Sequence, residues 1–203
     1  YRKVILKGLV KTTFQDEPVL QFYPAKESHS AMIVVPGGGY VELSSDTSPS
    51  QEKQLEGSIP AHILNDKGIN AFVLRYRINP YEHPYPLLDL QRAVRYLKAH
   101  ANEYDIDPNK IGVVGYSAGG FSIAALLNIL KDRPVNEILK EYHKEIDYVE
   151  DEIDHISSRV ACAGLFYPVT TYQYNVPMLF AAFDGTLVRN ESQRNEILGL
   201  CDC

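Results

Sequence analysis

Four short runs of this chain, residues 31–35 (AMIVV), 71–74 (AFVL), 111–114 (IGVV) and 160–166 (VACAGLF), are apolar or small nearly throughout. A strand with one face in water alternates polar and apolar residues. Runs without alternation read as strands buried on both faces, which requires a parallel sheet with helices above and below it. The segments between them agree. Leu90, Ala93, Val94, Leu97 and Ala101 recur at helical spacing after Pro86, giving an apolar stripe on a charged helix. FSIAALLNIL, residues 121–130, is apolar almost all round and predicts a central, buried helix. The fold class expected is α/β, a mostly parallel sheet covered on both faces.

The remaining elements fit around that sheet. Residues 4–6 and 19–22 flank the polar segment KTTFQDEP and predict a hairpin at a sheet edge. Ser58 as cap, Pro60 in the first turn and Gly68 as stop predict a short helix. Val135, Ile138, Leu139, Tyr142 and Ile146 give an amphipathic pattern in an acidic stretch, which predicts a surface helix over 135–153. With 203 residues, 45% of them hydrophobic, the chain suits one domain over 1–203.

Charge and cysteine content narrow the partners. A formal charge of −6 supplies no dominant basic surface, which argues against nucleic acid and anionic membranes and leaves small neutral molecules. No apolar run approaches the roughly 20 residues of a membrane span. Three cysteines build no disulfide scaffold, Cys201 and Cys203 lack the further ligands a structural zinc needs, and Cys162 reads as a small core residue. No metal or cofactor is expected. No leader pattern opens the chain, which points to the cytoplasm, although Tyr1 is not an initiator methionine and a removed leader stays open.

The run 111–114 continues into Gly115-Tyr116-Ser117-Ala118-Gly119-Gly120 and then the buried helix. A strand that turns sharply into a helix holds its turn residue in a strained conformation with the side chain outward, and the neighbours two positions away must be tiny. Gly115 and Gly119 meet that need. The helix points its free N–H groups at the serine, where an oxyanion would form, so Ser117 is placed for nucleophilic attack. The alternative is a structural turn or a phosphate cradle. Residues 31–35 lead into Pro36-Gly37-Gly38-Gly39-Tyr40 at the same sheet edge, and two of these glycine N–H groups with that of Ala118 can hold an oxyanion. A dinucleotide site fits poorly, because the spacing is not Gly-x-Gly-x-x-Gly.

The segments VVPGGGY, FVLRYRI, PLLDLQRAVRYLKAHANEYDIDPNKIGVVGYSAGG and SSRVACAGLFYPV together resemble the α/β-hydrolase esterases, nearest the bacterial acetyl-xylan-esterase-like and feruloyl-esterase-like carbohydrate esterases. The resemblance covers nearly the whole chain. It implies Ser117 as nucleophile, Gly38, Gly39 and Ala118 as oxyanion donors, and small acyl esters of carbohydrates as substrates. It differs at Pro36 from relatives that carry His-Gly-Gly-Gly, without removing the glycine N–H groups.

The same resemblance implies a triad acid after strand seven and a histidine after strand eight, whereas 160–166 matches strand six. The expectation is a hydrolase domain without its last two strands, inactive as it stands. Of the histidines, His29 and His155 precede strands at the far end of the sheet, and His62, His100 and His143 fall on helices. His83 alone follows a strand on the serine side, without an evident carboxylate to orient it. Asp184 precedes the place expected of the acid. The alternatives are a non-catalytic binding module and a peptidase of the same fold; oligomeric state is not legible.

Overall fold

The computed structural model describes residues 1–6, 17–45, 55–142, 144, 148–173, 175–183 and 190–200. Six strands form one sheet: β1 (Arg2–Ile5), β2 (Val19–Tyr23), β3 (Ala31–Val35), β4 (Asn70–Arg75), β5 (Ile111–Tyr116) and β6 (Ala163–Phe166), in the order β1-β2-β4-β3-β5-β6. β1 pairs antiparallel with β2 and β2 antiparallel with β4, while β4, β3, β5 and β6 run parallel. The edge hairpin strands and the three central strands fall where the apolar runs place them. Ile33, Val34, Val35, Phe72, Val73, Leu74 and Val113 are all fully buried, which accounts for their lack of alternation.

Helices close both faces. α1 (Ser58–Asp66) packs on β4. α2 (Tyr85–Ala99) lies against α3 (Ala118–Ala125), every residue of which is buried and which runs on through a wider turn, Leu126–Leu130. α4 (Val135–Glu141), α5 (Val176–Ala182) and α6 (Glu191–Leu200) add to the periphery.

Several details depart from the sequence reading. Ser58 is the first helical residue rather than the cap, and Gly57 caps α1 without a side-chain bond. The acidic helix stops at Glu141, and Asp151 opens a separate 3₁₀ turn (Glu152–His155) with a capping box to Asp154. A new N-terminus built on its own side chains is incompatible with one continuous helix. Ile146 and His143 lie outside the described residues.

The charged face of α2 is not solvated. Arg92 and Arg95 are buried, and Arg92 donates to Asp151 at 2.6 Å and to Asp154 at 3.0 Å. β6 begins at Ala163 and is largely exposed, as is Cys162, which is therefore no core residue. β6 has a partner on one side only among the described residues, so its apolar side chains are not enclosed as those of β3 and β5 are.

Candidate active site

The C-terminal ends of β3, β5 and β6 converge, and three turns meet there. Ser117 stands between β5 and α3 with φ 50° and ψ −114°, a conformation costly for a residue with a Cβ. Its N–H donates to the Phe166 carbonyl at 3.0 Å, pinning the turn to the end of β6. A Cβ on Gly119 would collide with the Val35 carbonyl, and one on Gly115 would lie 2.6 Å from the Gly119 carbonyl oxygen. The small residues on either side of the serine are thus demanded by the approach of α3 to β3 and β5.

The glycine turn after β3 is held from several directions. Tyr76 donates its hydroxyl to the Pro36 carbonyl at 2.8 Å, and burial pushes that phenol well above its ordinary pKa. The Gly37 carbonyl accepts the N–H of Ser44, and the Gly38 carbonyl accepts those of Val41 and Glu42. Gly38 has φ 124° and no space for a Cβ beside Glu42; Gly39 has φ 62° and open space. Tyr40 (φ 64°) is fully buried, donates to the Ala118 carbonyl at 3.0 Å and lies 2.9 Å from Ser122 Oγ. It fastens the glycine turn to the first turn of α3. Among the described residues, the N–H groups of Gly38, Gly39 and Ala118 donate to no group of the chain.

The structure brings Ser117, Ala118 and the glycine turn together, as the sequence predicts, but no described histidine stands with them. His83 is fully buried beneath the site, with Nε2 2.9 Å from the Tyr172 hydroxyl and rings of Tyr40, Phe121, Tyr172 and Phe183 around it. Burial, with the Lys144 charge adding to it, pushes its pKa down to about 3, so it is a neutral packing and hydrogen-bonding group. His29 is exposed and pairs with Asp105, His62 meets the Tyr23 ring, His100 stacks on Tyr96, and His155 is exposed in the 3₁₀ turn before β6. Asp184, Cys201 and Cys203 lie outside the described residues. Among the described residues no group of His, Cys, Asp or Glu is placed to hold a metal, and no helix is long and apolar enough to cross a membrane.

A family model described as BD-FAE matches residues 20–169, which includes the glycine turn, the serine turn and all of β2 to β6 except the first residue of β2. The chain belongs to the BD-FAE family. The acetylxylan esterase of Xylanibacter ruminicola is 33% identical to this BD-FAE chain over 120 residues, 58% of this chain and 23% of that protein. Endo-1,4-beta-xylanase B of Butyrivibrio fibrisolvens is 36% identical over 108 residues, 50% of this chain and 16% of that protein. The chain thus spans about a quarter or less of the length of these relatives.

Among solved structures, the acetyl ester-xyloside bifunctional hydrolase from Caldicellulosiruptor lactoaceticus superposes with a TM-score of 0.62 at 30% identity, over 94% of this chain and 65% of that one. A propionate-bound esterase from Thermogutta terrifontis gives 0.64 at 23% identity, over 98% and 62%. With these neighbours and the strand order above, this BD-FAE chain has the α/β-hydrolase fold.

Two residues of the site were not singled out in the sequence. Glu56 accepts the N–H of Gly37 at 2.7 Å and the hydroxyl of Tyr167 at 2.7 Å. Tyr167 is itself at φ 37° and 64% exposed, and partial desolvation together with the Glu56 bond raises its phenol to about 12. Glu56 sits in a polar run where a carboxylate looks solvated, so composition gave no signal.

Proposed function

We propose that this chain carries the nucleophile and oxyanion site of a serine-dependent carboxylic ester hydrolase acting on acetyl or other small acyl esters of carbohydrates. One observation carries the reading: a serine on a strained turn stands beside the glycine turn, and the N–H groups of Ala118, Gly38 and Gly39 donate to no described group of the chain. Strain of this kind clusters at active sites and ligand clamps, and on a serine next to open N–H donors it fits a nucleophile.

Ser117 Oγ attacks the acyl carbon and passes its proton to a base, which is none of the described histidines as they stand. The carbonyl π bond opens, and its oxygen becomes the oxyanion received by the three N–H groups. Collapse expels the sugar hydroxyl with a proton and leaves an acyl-enzyme, which water then cleaves to the acid and free Ser117. The donors face the place where charge develops, so they act mainly in the transition state. The carbohydrate and acetyl parts of the reading are supported by the names of the xylan-related relatives and of the acetyl ester-xyloside hydrolase.

The test is hydrolysis of acetylated xylooligosaccharides and short-chain aryl acetates by the whole protein and by Ser117→Ala. The variant should fold normally and lose turnover by a factor on the order of 10⁶. Full hydrolysis by Ser117→Ala would sink the reading, and hydrolysis of aryl acetates without the sugar esters would limit it to small esters.

A further inference from the structure

Glu56 is a carboxylate inside this machinery that the mechanism above does not use. It stands in the turn before α1, half-buried, and commits one oxygen to each of two other turns. Oε2 holds Gly37 N–H, after β3; Oε1 holds the Tyr167 hydroxyl, after β6. The serine turn of β5 lies between them. A Cβ built on Gly37 would be 2.9 Å from Glu56 Oε2, 2.9 Å from the Tyr116 carbonyl oxygen and 3.0 Å from Ser117 Cβ. A side chain at residue 37 would thus crowd the carboxylate, the Tyr116 carbonyl and the nucleophile at once, which is why the first of the three glycines is needed even though its N–H is already taken.

Two features show that the link is built rather than incidental. Tyr167 accepts a positive φ, unfavourable for a bulky residue, at the position from which its ring reaches Glu56. Ser117 N–H is bonded to the carbonyl of the preceding residue, Phe166, so the β6 turn is anchored to the serine on one side and to Glu56 on the other.

We infer that Glu56 is a positioning residue for the ester hydrolysis proposed above. By engaging Gly37 N–H it withdraws that donor from the oxyanion and fixes the peptide from which Gly38 and Gly39 project. By engaging Tyr167 it locks the glycine turn to the β6 turn across the nucleophile. Both oxygens accept, so the role is geometric, and an amide oxygen can fill the Gly37 half of it.

The inference rests on the serine reading, and kinetics of four variants of the whole protein on an aryl acetate separate the two. Glu56→Ala should lower kcat about 10- to 100-fold with KM within about threefold, as expected when oxyanion donors are displaced by fractions of an ångström. Glu56→Gln should recover most of that loss, and Tyr167→Phe should lower kcat about two- to fivefold. Unchanged kcat in Glu56→Ala, or equal loss in the Ala and Gln variants, overturns the inference. If Glu56→Ala does not fold, Tyr167→Phe decides, and unchanged kcat there overturns it. Ser117→Ala is the fourth variant: loss of its turnover beside an unaffected Glu56→Ala defeats the Glu56 role alone, whereas retained turnover defeats the serine reading and the inference with it.

Discussion

The turns after β3, β5 and β6 and the segment 148–158 that leads into β6 are both held by carboxylates, to opposite effect. Around Ser117 the backbone is strained, with Tyr40, Ser117 and Tyr167 at φ 64°, 50° and 37°, and three N–H groups are left without a partner among the described residues. In the segment before β6 the polar groups close on one another. Asp151 takes two bonds of 2.6 Å from Arg92, Asp154 takes Arg92 and the Tyr148 hydroxyl, and the two aspartates form a reciprocal cap. Charges paired in this way fix the fold, since removing one partner leaves the other buried without its counter-ion, and they offer nothing to chemistry. Open donors cost stability and are useful only where an anion arrives.

If that contrast is right, damage to the two regions should separate cleanly. Arg92→Ala leaves Asp154, whose side chain is 2% exposed, without its counter-ion, and should destabilise the fold by about 3 kcal/mol in urea unfolding, with kcat within twofold of the parent. A loss of kcat without loss of stability would erase the distinction. Gly39→Ala is the converse. Its Cβ meets nothing, so the change acts through the φ of 62° alone: it should cost about 1 kcal/mol of stability and, as the peptide turns to relieve the strain and re-aims its N–H, roughly 10²-fold in kcat with little change in KM. A change confined to KM would make the turn a pocket wall.

A smaller effect sharpens the picture of the layer beneath the site. His83 in the folded chain has a pKa of about 3, below its unfolded value near 6.5. The unfolded state therefore takes up the proton first, and the contribution of neutral His83 is complete above pH 6.5 and lost as pH falls from there toward 3. The slope approaches ~1.4 kcal/mol per pH unit. His83→Gln, which can still bond Tyr172, should flatten the urea midpoint between pH 6.5 and 5 relative to the parent; an equal slope in both would place the histidine in contact with water.

The sequence was legible where a local rule decides the structure. β3, β4 and β5 are apolar because both faces are covered, and the glycines at 115 and 119 are small because α3 starts against β3. It was illegible where the deciding contact is remote. Glu56 meets Gly37 across 19 residues and Tyr167 across 111, and nothing in a run of Ser, Asp, Gln and Lys distinguishes it from a surface carboxylate. The arginines of α2 look solvated until Asp151 and Asp154 fold over them. β6 has the composition of β3 but not its burial, because enclosure belongs to neighbours rather than to the strand. The period in 135–153 predicts one helix, whereas the Asp151-x-x-Asp154 capping box, a local signal inside that stretch, opens a second start.

The central claim is that Ser117 is the one serine activated by its surroundings, and covalent labelling tests it most directly. A preparation of the whole protein that hydrolyses aryl acetates, treated with a fluorophosphonate and mapped by peptide mass spectrometry, should carry a single adduct on Ser117, with labelling and hydrolysis disappearing in step. An adduct on another serine, or full inhibition with Ser117 unmodified, would contradict the account.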